Sequence, residues 1–211
     1  NKAIYHCRVC YHSIDYTALE IKHLIRHYNV RQFRFHDDTM TSHVARLREF
    51  KEKIAPLGIV FRCNGRVNEV TPDKLKLLAE SGCEEIGYGI ETVNQKALNM
   101  CNKKVDVEQC IQAIDMTRKA GMKVRLFFIV GLPCDYGDLS GNIINFLEWA
   151  KPDGVNISTL CPYPGSALWE SPEKYNMNLY NRDVGKFKFT VGLDEDTEDF
   201  FLGHQQYRCF A

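Results

Sequence analysis

Strand-like and helix-like segments alternate about five times along the chain, at a period of roughly 25–38 residues, and this rhythm restricts the fold more than any single residue does. DYTALEIKHLIRHYN (15–29) has apolar residues at Leu19, Ile21, Leu24, Ile25 and Tyr28, a helical spacing. VRQFRFHDD is a short alternating strand ending in two carboxylates. Residues 41–58 are a second helix, with Thr41 or Ser42 as N-cap and Gly58 as stop. IVFRCNGRVN (59–68) is predicted as strand. TPDKLKLLAESG (71–82) is a helix with Thr71 as cap, Pro72 in the first turn and Gly82 at its end. Residues 83–92 are strand, 106–121 helix capped by Asp106, 122–133 strand, 137–152 helix, and 154–168 a strand running into a Pro/Gly turn. Such alternation implies parallel strands with crossover helices. The unbroken apolar run LFFIV suits a sheet covered on both faces. Two α/β architectures fit, a doubly wound open sheet and a full or partial (β/α) barrel, and both place function beyond the C-terminal ends of the strands.

Composition narrows the setting. The 211 residues, 45% hydrophobic and 26% charged, suffice for one sizeable core or two small ones. Lys and Arg total 27 and Asp and Glu total 27, so no overall field draws the chain to nucleic acid or an anionic membrane. No apolar run approaches the roughly 18–20 residues of a membrane span. Asn1 follows no signal-peptide pattern, and the missing initiator Met suggests a fragment of a longer protein. The nine cysteines are odd in number and mostly sit in regular apolar segments, which argues against a disulfide scaffold and for a reducing cytoplasm. Cys63, Cys83, Cys110 and Cys161 read as small buried hydrophobes. The core is assigned to residues 1–168. Residues 169–211 lose the period and form an irregular C-terminal extension whose DEDTED run is a solvated face.

Chemistry is therefore sought where strands end. A first strand, KAIYH, ends at Cys7 and Cys10, a C-x-x-C pair flanked by His6 and His12. The second ends in HDDT with Asp37 and Asp38, the third carries Arg62, Asn64 and Arg66, the fourth ends in GIET with Glu91, the fifth in GLP and the sixth in CPYPGS. Each has a bland alternative. The cysteines alone could be a buried thiol pair or bind zinc. The two aspartates could cap the following helix, and Glu91 could pair with Arg66. His23 and His27, at i and i+4, read as an exposed polar face rather than a zinc site. Taken together on one rim, soft thiolates select iron–sulfur clusters, zinc or copper, while carboxylates suit amines and polyols. A ligand with a sulfur-binding end, an amino acid moiety and a ribose would use both.

From about Asp15 to Leu168 the chain resembles the radical S-adenosylmethionine (SAM) superfamily, in its elongator-like, methylthiotransferase and cobalamin-associated branch. The resemblance rests on FRFHDDTMT (33–41), FRCNGRVNEVTPDKLKLLAESGCEEIGYGIETVNQKALNMCNK (61–103), KAGMKVRLFFIVGLP (119–133) and PYPGS (162–166). It implies a partial (β/α)6 barrel of parallel strands, similar to a TIM barrel, with a 4Fe–4S cluster on three cysteines and SAM on the open iron. An electron from the cluster would cleave SAM to a 5′-deoxyadenosyl radical for modification of an unknown substrate. Cys7 and Cys10 would be metal ligands, with Val9 in the slot the family fills with an aromatic. Asp37 or Asp38 would hold the methionyl ammonium, Glu91 the ribose hydroxyls, and Arg66 the SAM carboxylate or a neighbouring one. The backbone around Val130–Gly131 and Leu160–Pro162, including Cys161, would flank the adenine. The family pattern C-x-x-x-C-x-aromatic-C puts its first cysteine at position 3, which is Ala3. That ligand then lies upstream in a variant spacing, or is missing from this sequence, or the cluster is no longer built. The family also implies an electron donor such as flavodoxin or ferredoxin, and cobalamin through a domain not present here. Small metabolites, tetrapyrrole-like molecules and RNA remain open as substrates. The rival reading is a barrel lacking a complete cluster that binds a ligand or partner. A dinucleotide-binding oxidoreductase fits less well, because GYGIE lacks the third glycine of G-x-G-x-x-G and does not open a helix.

Overall fold

A computed structural model describes residues 11–135 and 137–179. Helix α1 (Ile14–Tyr28) starts at Ser13, whose hydroxyl accepts from the Tyr16 amide, and stops at Asn29 in the left-handed region. Its buried stripe is Ile14, Ala18 and Ile21, with Ile25 partly buried. Leu19, Leu24 and Tyr28, expected on that face, are exposed.

Strand β1 (Gln32–Arg34) leads to α2 (Val44–Ile54), a 3-10 turn (Ala55–Leu57) and Gly58 at φ +60°. This helix starts later than its sequence suggests. Neither Thr41 nor Ser42 caps it; the N-cap is His43, with no side-chain hydrogen bond. Thr41 is instead wholly buried and bonded to Thr39 and Glu69. Strand β2 (Val60–Gly65) precedes α3 (Pro72–Glu80), whose cap Thr71 accepts from the Lys74 amide. Strand β3 (Cys83–Glu91) is followed by a short helix α4 (Gln95–Met100), capped by Asn94, that the periodicity did not reveal. Helix α5 (Val107–Lys119) opens on a full capping box, Asp106 and Gln109 each bonding the other's backbone amide. Strand β4 (Lys123–Val130), α6 (Leu139–Ala150), β5 (Gly154–Thr159) and α7 (Ala167–Glu170) complete the order, with a 3-10 turn at Pro172–Tyr175.

The five strands pair in chain order, all parallel. A doubly wound sheet would reverse its strand order part-way. Unreversed order gives instead a curled half-barrel, the partial TIM-like architecture expected. The expected first strand, KAIYH, lies outside the described residues.

Alternation along the strands divides the sheet into two faces. The helix-covered face holds Phe61, Ile86, Tyr88, Ile90, Val124, Leu126 and Phe128, each 1% exposed or less. Each such side chain contributes roughly 1.5–3 kcal/mol of burial. Phe35, Phe50 and Phe61 interlock edge-on there, with centroids 5.1–5.5 Å apart. The Tyr88 hydroxyl reaches that of Thr117 on α5 at 2.6 Å. A smaller cluster packs Met177 with Ala97, Leu132 and Leu160.

Candidate functional site at the strand rim

Glu91, the last residue of β3, sits at φ +69°, a conformation rare for a residue with a side chain. The pairing with β4 shifts between Gly89 and Glu91, so the strand bulges as it reaches the rim. The bulge turns the Glu91 carboxylate back over Gly89. A Cβ on Gly89 would lie 2.4 Å from Glu91 Oε1, so any side chain there would displace this carboxylate. Oε1 accepts from Lys103 Nζ at 2.5 Å. Glu91 therefore pairs with Lys103 from the turn after α4, and not with Arg66. Its Oε2 has no protein donor among the described residues, leaving one carboxylate oxygen for a ligand.

Arg66 extends outward. Its side chain is 66% exposed, and its guanidinium lies 3.5 Å from Glu69 Oε1. The fixed carboxylate here is Glu69, which the sequence reading passed over. Glu69 Oε2 accepts from Thr39 at 3.2 Å and Thr41 at 3.4 Å, tying the loop after β1 to the loop after β2. The Arg66 amide also donates to Thr41 Oγ1. Nothing in the sequence marks Glu69 except its place three residues after Arg66.

Asp37 and Asp38 follow β1, both exposed and neither capping α2. Asp37 lines a cavity of about 220 Å³ beside His12, Thr39, His43 and Arg46. The capping role that could have explained the pair is thus absent, and the two carboxylates carry no ion pair among the described residues.

On the far side of β3, Gly131 follows β4 at φ +86°, and a Cβ there would meet nothing nearer than Leu160 Cβ at 3.8 Å. The Leu160 amide donates to Val130 O at 2.8 Å, prolonging the β4–β5 ladder past the last strand residues. Val130–Gly131 and Leu160–Pro162 are thereby brought side by side, with Cys161 partly exposed between Leu160 and Pro162.

The loop beyond adds Asp135, a second residue that sequence reasoning missed. It is 9% exposed, and its Oδ2 has no hydrogen-bond partner among the described residues. Burial raises its carboxyl above the ordinary aspartate range, opposed by Thr92 and Asn94. The Asn94 side chain also donates to Cys134 O, fastening this loop to the one after β3. The signal was present as a carboxylate four residues after the glycine that follows the strand, in GLPCD.

Cys7, Val9 and Cys10 lie outside the described residues. Among the described residues no cluster of three His, Cys, Asp or Glu side chains is spaced to hold a metal. His23 and His27 lie with ring centroids 4.3 Å apart, tilted at 38° to each other, on the exposed face of α1. Cys63, Cys83 and Cys110 are buried as expected, whereas Cys161 is only partly so. No helix among the described residues is long and apolar enough to cross a membrane.

Comparison with known proteins places this rim in context. The chain is 28% identical over 170 residues to an uncharacterized methyltransferase of Pyrococcus horikoshii, covering 80% of this chain and 37% of that protein. It is also 28% identical over 170 residues to the anaerobic magnesium-protoporphyrin IX monomethyl ester cyclase of Rubrivivax gelatinosus, covering 77% and 31%. The chain thus spans about a third of the length of the curated relatives it matches. Among solved structures, its fold is similar to the radical S-adenosylmethionine methyltransferase TsrM of Kitasatospora setae, with cobalamin and a 4Fe–4S cluster bound (TM-score 0.66, 13% identity, 76% of this chain and 34% of that one). It is likewise similar to the archaeal Elp3 of Methanocaldococcus infernus (TM-score 0.62, 12% identity, 92% and 59%). The radical SAM superfamily profile matches residues 5–138, from before the cysteine pair to beyond the GLP loop, and the chain belongs to that superfamily.

Proposed function

We propose that this chain is the core of a radical SAM enzyme, binding a 4Fe–4S cluster through Cys7 and Cys10 and SAM along the strand rim. The observation that carries the reading is Glu91: a bulged, positive-φ carboxylate held by Lys103 over a glycine, with one oxygen free. Backbone strain of this kind persists where the surroundings over-determine it, and it clusters at ligand sites. Glu91 would accept from the ribose hydroxyls. Asp37 or Asp38, released from capping, would accept from the methionyl ammonium. Arg66 would meet the SAM carboxylate, and the adjoining backbone at Gly131 and Cys161 would flank the adenine. Lys103 would orient Glu91, and Asp135 would hold the GLP loop against the loop after β3.

When bound, the cluster supplies the electron that cleaves a C–S bond of SAM. An electron donor of the flavodoxin or ferredoxin type would reload it in a reducing cytoplasm. Two relatives carry methyltransferase and cyclase in their names. Relatives named methyltransferases and a structural neighbour with cobalamin bound support group transfer to a substrate, with cobalamin supplied by another domain, as the outcome we infer. Anaerobic reconstitution with iron and sulfide should give the broad visible absorption of a 4Fe–4S cluster, with SAM cleaved to 5′-deoxyadenosine under dithionite. Cys7→Ala should abolish both. A colourless wild-type protein that leaves SAM intact would refute the enzyme reading for this chain and favour the ligand-binding barrel, which the alanine at position 3 would then explain.

A further inference from the structure

The concave face of the sheet, opposite the helices, holds a cavity below the rim. A cavity of about 200 Å³ is lined by Arg34, Arg62, Asn64, Glu85, Arg125 and Asn156, with Gly87 and Phe127 also on its wall. Arg34 and Arg62 are direct cross-strand partners on β1 and β2. Like charges placed opposite each other on a sheet are destabilising. The neighbouring carboxylate does not relieve them. Glu85 pairs in register with Arg62, yet its oxygens accept from Arg125 Nε at 2.8 Å and Nη2 at 3.2 Å. Three guanidiniums, permanently charged, thus face one carboxylate, and Arg34 and Arg62 have no ion pair among the described residues.

The third guanidinium is built into place. It lies over Gly154, where a Cβ would come within 2.6–2.8 Å of it, and it donates to Asn156 Oδ1 at 3.1 Å. Gly87 similarly leaves room for the Phe127 ring, 2.6 Å from where its Cβ would stand. The result is a preformed pocket with excess positive charge, two free guanidiniums, side-chain amides and one aromatic wall. Planar guanidinium forks match oxyanions of carboxylate or phosphoryl type.

We infer that this cavity binds the carboxylate or phosphoryl group of the substrate. Calling that ligand the substrate rests on the proposed function, because the concave face is what the rim would enclose. Gly87 lies four residues below Glu91, so the anion would sit roughly 10–13 Å beneath the rim. The substrate class is then an acid whose reacting carbon is about that far from its anionic group.

The test uses the apoprotein, without cluster or SAM, so that its failure and failure of the radical reading are separate results. Inorganic phosphate and succinate are titrated by calorimetry at constant ionic strength. Wild type should bind at least one of them. Phosphate alone marks a phosphoryl ligand, succinate alone a carboxylate, and both mark a general oxyanion site. The double variant Arg34→Gln/Arg62→Gln should weaken binding tenfold or more, while Arg48→Gln on the outer helix α2 should leave it unchanged. Asn156→Asp, which adds a negative charge at the cavity wall, should weaken it as well and serves if the double variant fails to fold. No binding of either anion to wild type, or binding equal in wild type and the cavity variants, would overturn the inference.

Discussion

At the scale of single residues, Glu91 depends on a neighbour that has no side chain. A methyl group on Gly89 would collide with Glu91 Oε1, so the carboxylate would have to shift from the position in which Lys103 holds it. Gly89→Ala should therefore lower SAM affinity of the reconstituted protein at least about tenfold, comparable to Glu91→Ala, as read by equilibrium dialysis with labelled SAM. Lys103→Met should give an intermediate loss, since it frees the carboxylate without displacing it. Asp135 makes a different prediction. Its folded carboxyl titrates above its unfolded value of about 3.9, so the protonated form is favoured on folding. That contribution is present at low pH and is lost as pH rises through the folded value. Asp135→Asn should thus raise the melting temperature at pH 7, with a gain that shrinks towards pH 4, as calorimetry would show. The rim positions of Asp37, Asp38 and Glu91 were legible because these residues lie at or just past the ends of strand signals. Glu69, Lys103 and Asp135 were not, because loop closure brings them to the site and no period encodes it.

At the scale of elements, helix stops were read better than helix starts. Gly58 and Gly82 lie in positive-φ positions at or just past helix ends, as glycine punctuation predicts. Thr71 and Asp106 cap as expected. Thr41 does not, because its hydroxyl is drawn into the Thr39–Glu69 network and the chain runs three residues further before α2 begins. Sequence cannot weigh a local cap against a partner 28 residues away. On α1 the apolar spacing was present, but the register through Ile14, Ala18 and Ile21 won the core and left Leu19 and Tyr28 outside. The best-supported cap gives the clearest test. Asp106 accepts from the Gln109 amide at 2.7 Å, and the Gln109 side chain returns the bond to the Asp106 amide. Asp106→Ala should cost about 1 kcal/mol in urea unfolding, with the urea dependence of the unfolding free energy unchanged.

At the scale of the whole molecule, stability and function are divided between the two faces of one sheet. The continuous apolar run LFFIV suggested a sheet covered on both faces, but helices cover only one of them, and alternation along the strand puts its neighbouring residues on opposite faces. Leu126 and Phe128 are buried beneath the helices, whereas Phe127 and Arg125 face the concave cavity. In a closed barrel the interior is filled by bulky side chains and belongs to the core. Here Gly87, Gly89 and Gly154 keep the concave face open, and charged side chains line it. Adjacent residues on β4 should therefore respond differently to truncation. Leu126→Ala removes a side chain with no exposure and should cost about 2–5 kcal/mol in denaturant unfolding. Phe127→Ala, though it deletes a larger side chain, should cost less than half as much. It should act instead on ligand binding, because the ring is a wall of the cavity and not a member of the core. Equal losses of stability from the two substitutions would mean that the concave face is packed core, and both the rim and the anion site would then lack the open volume they require.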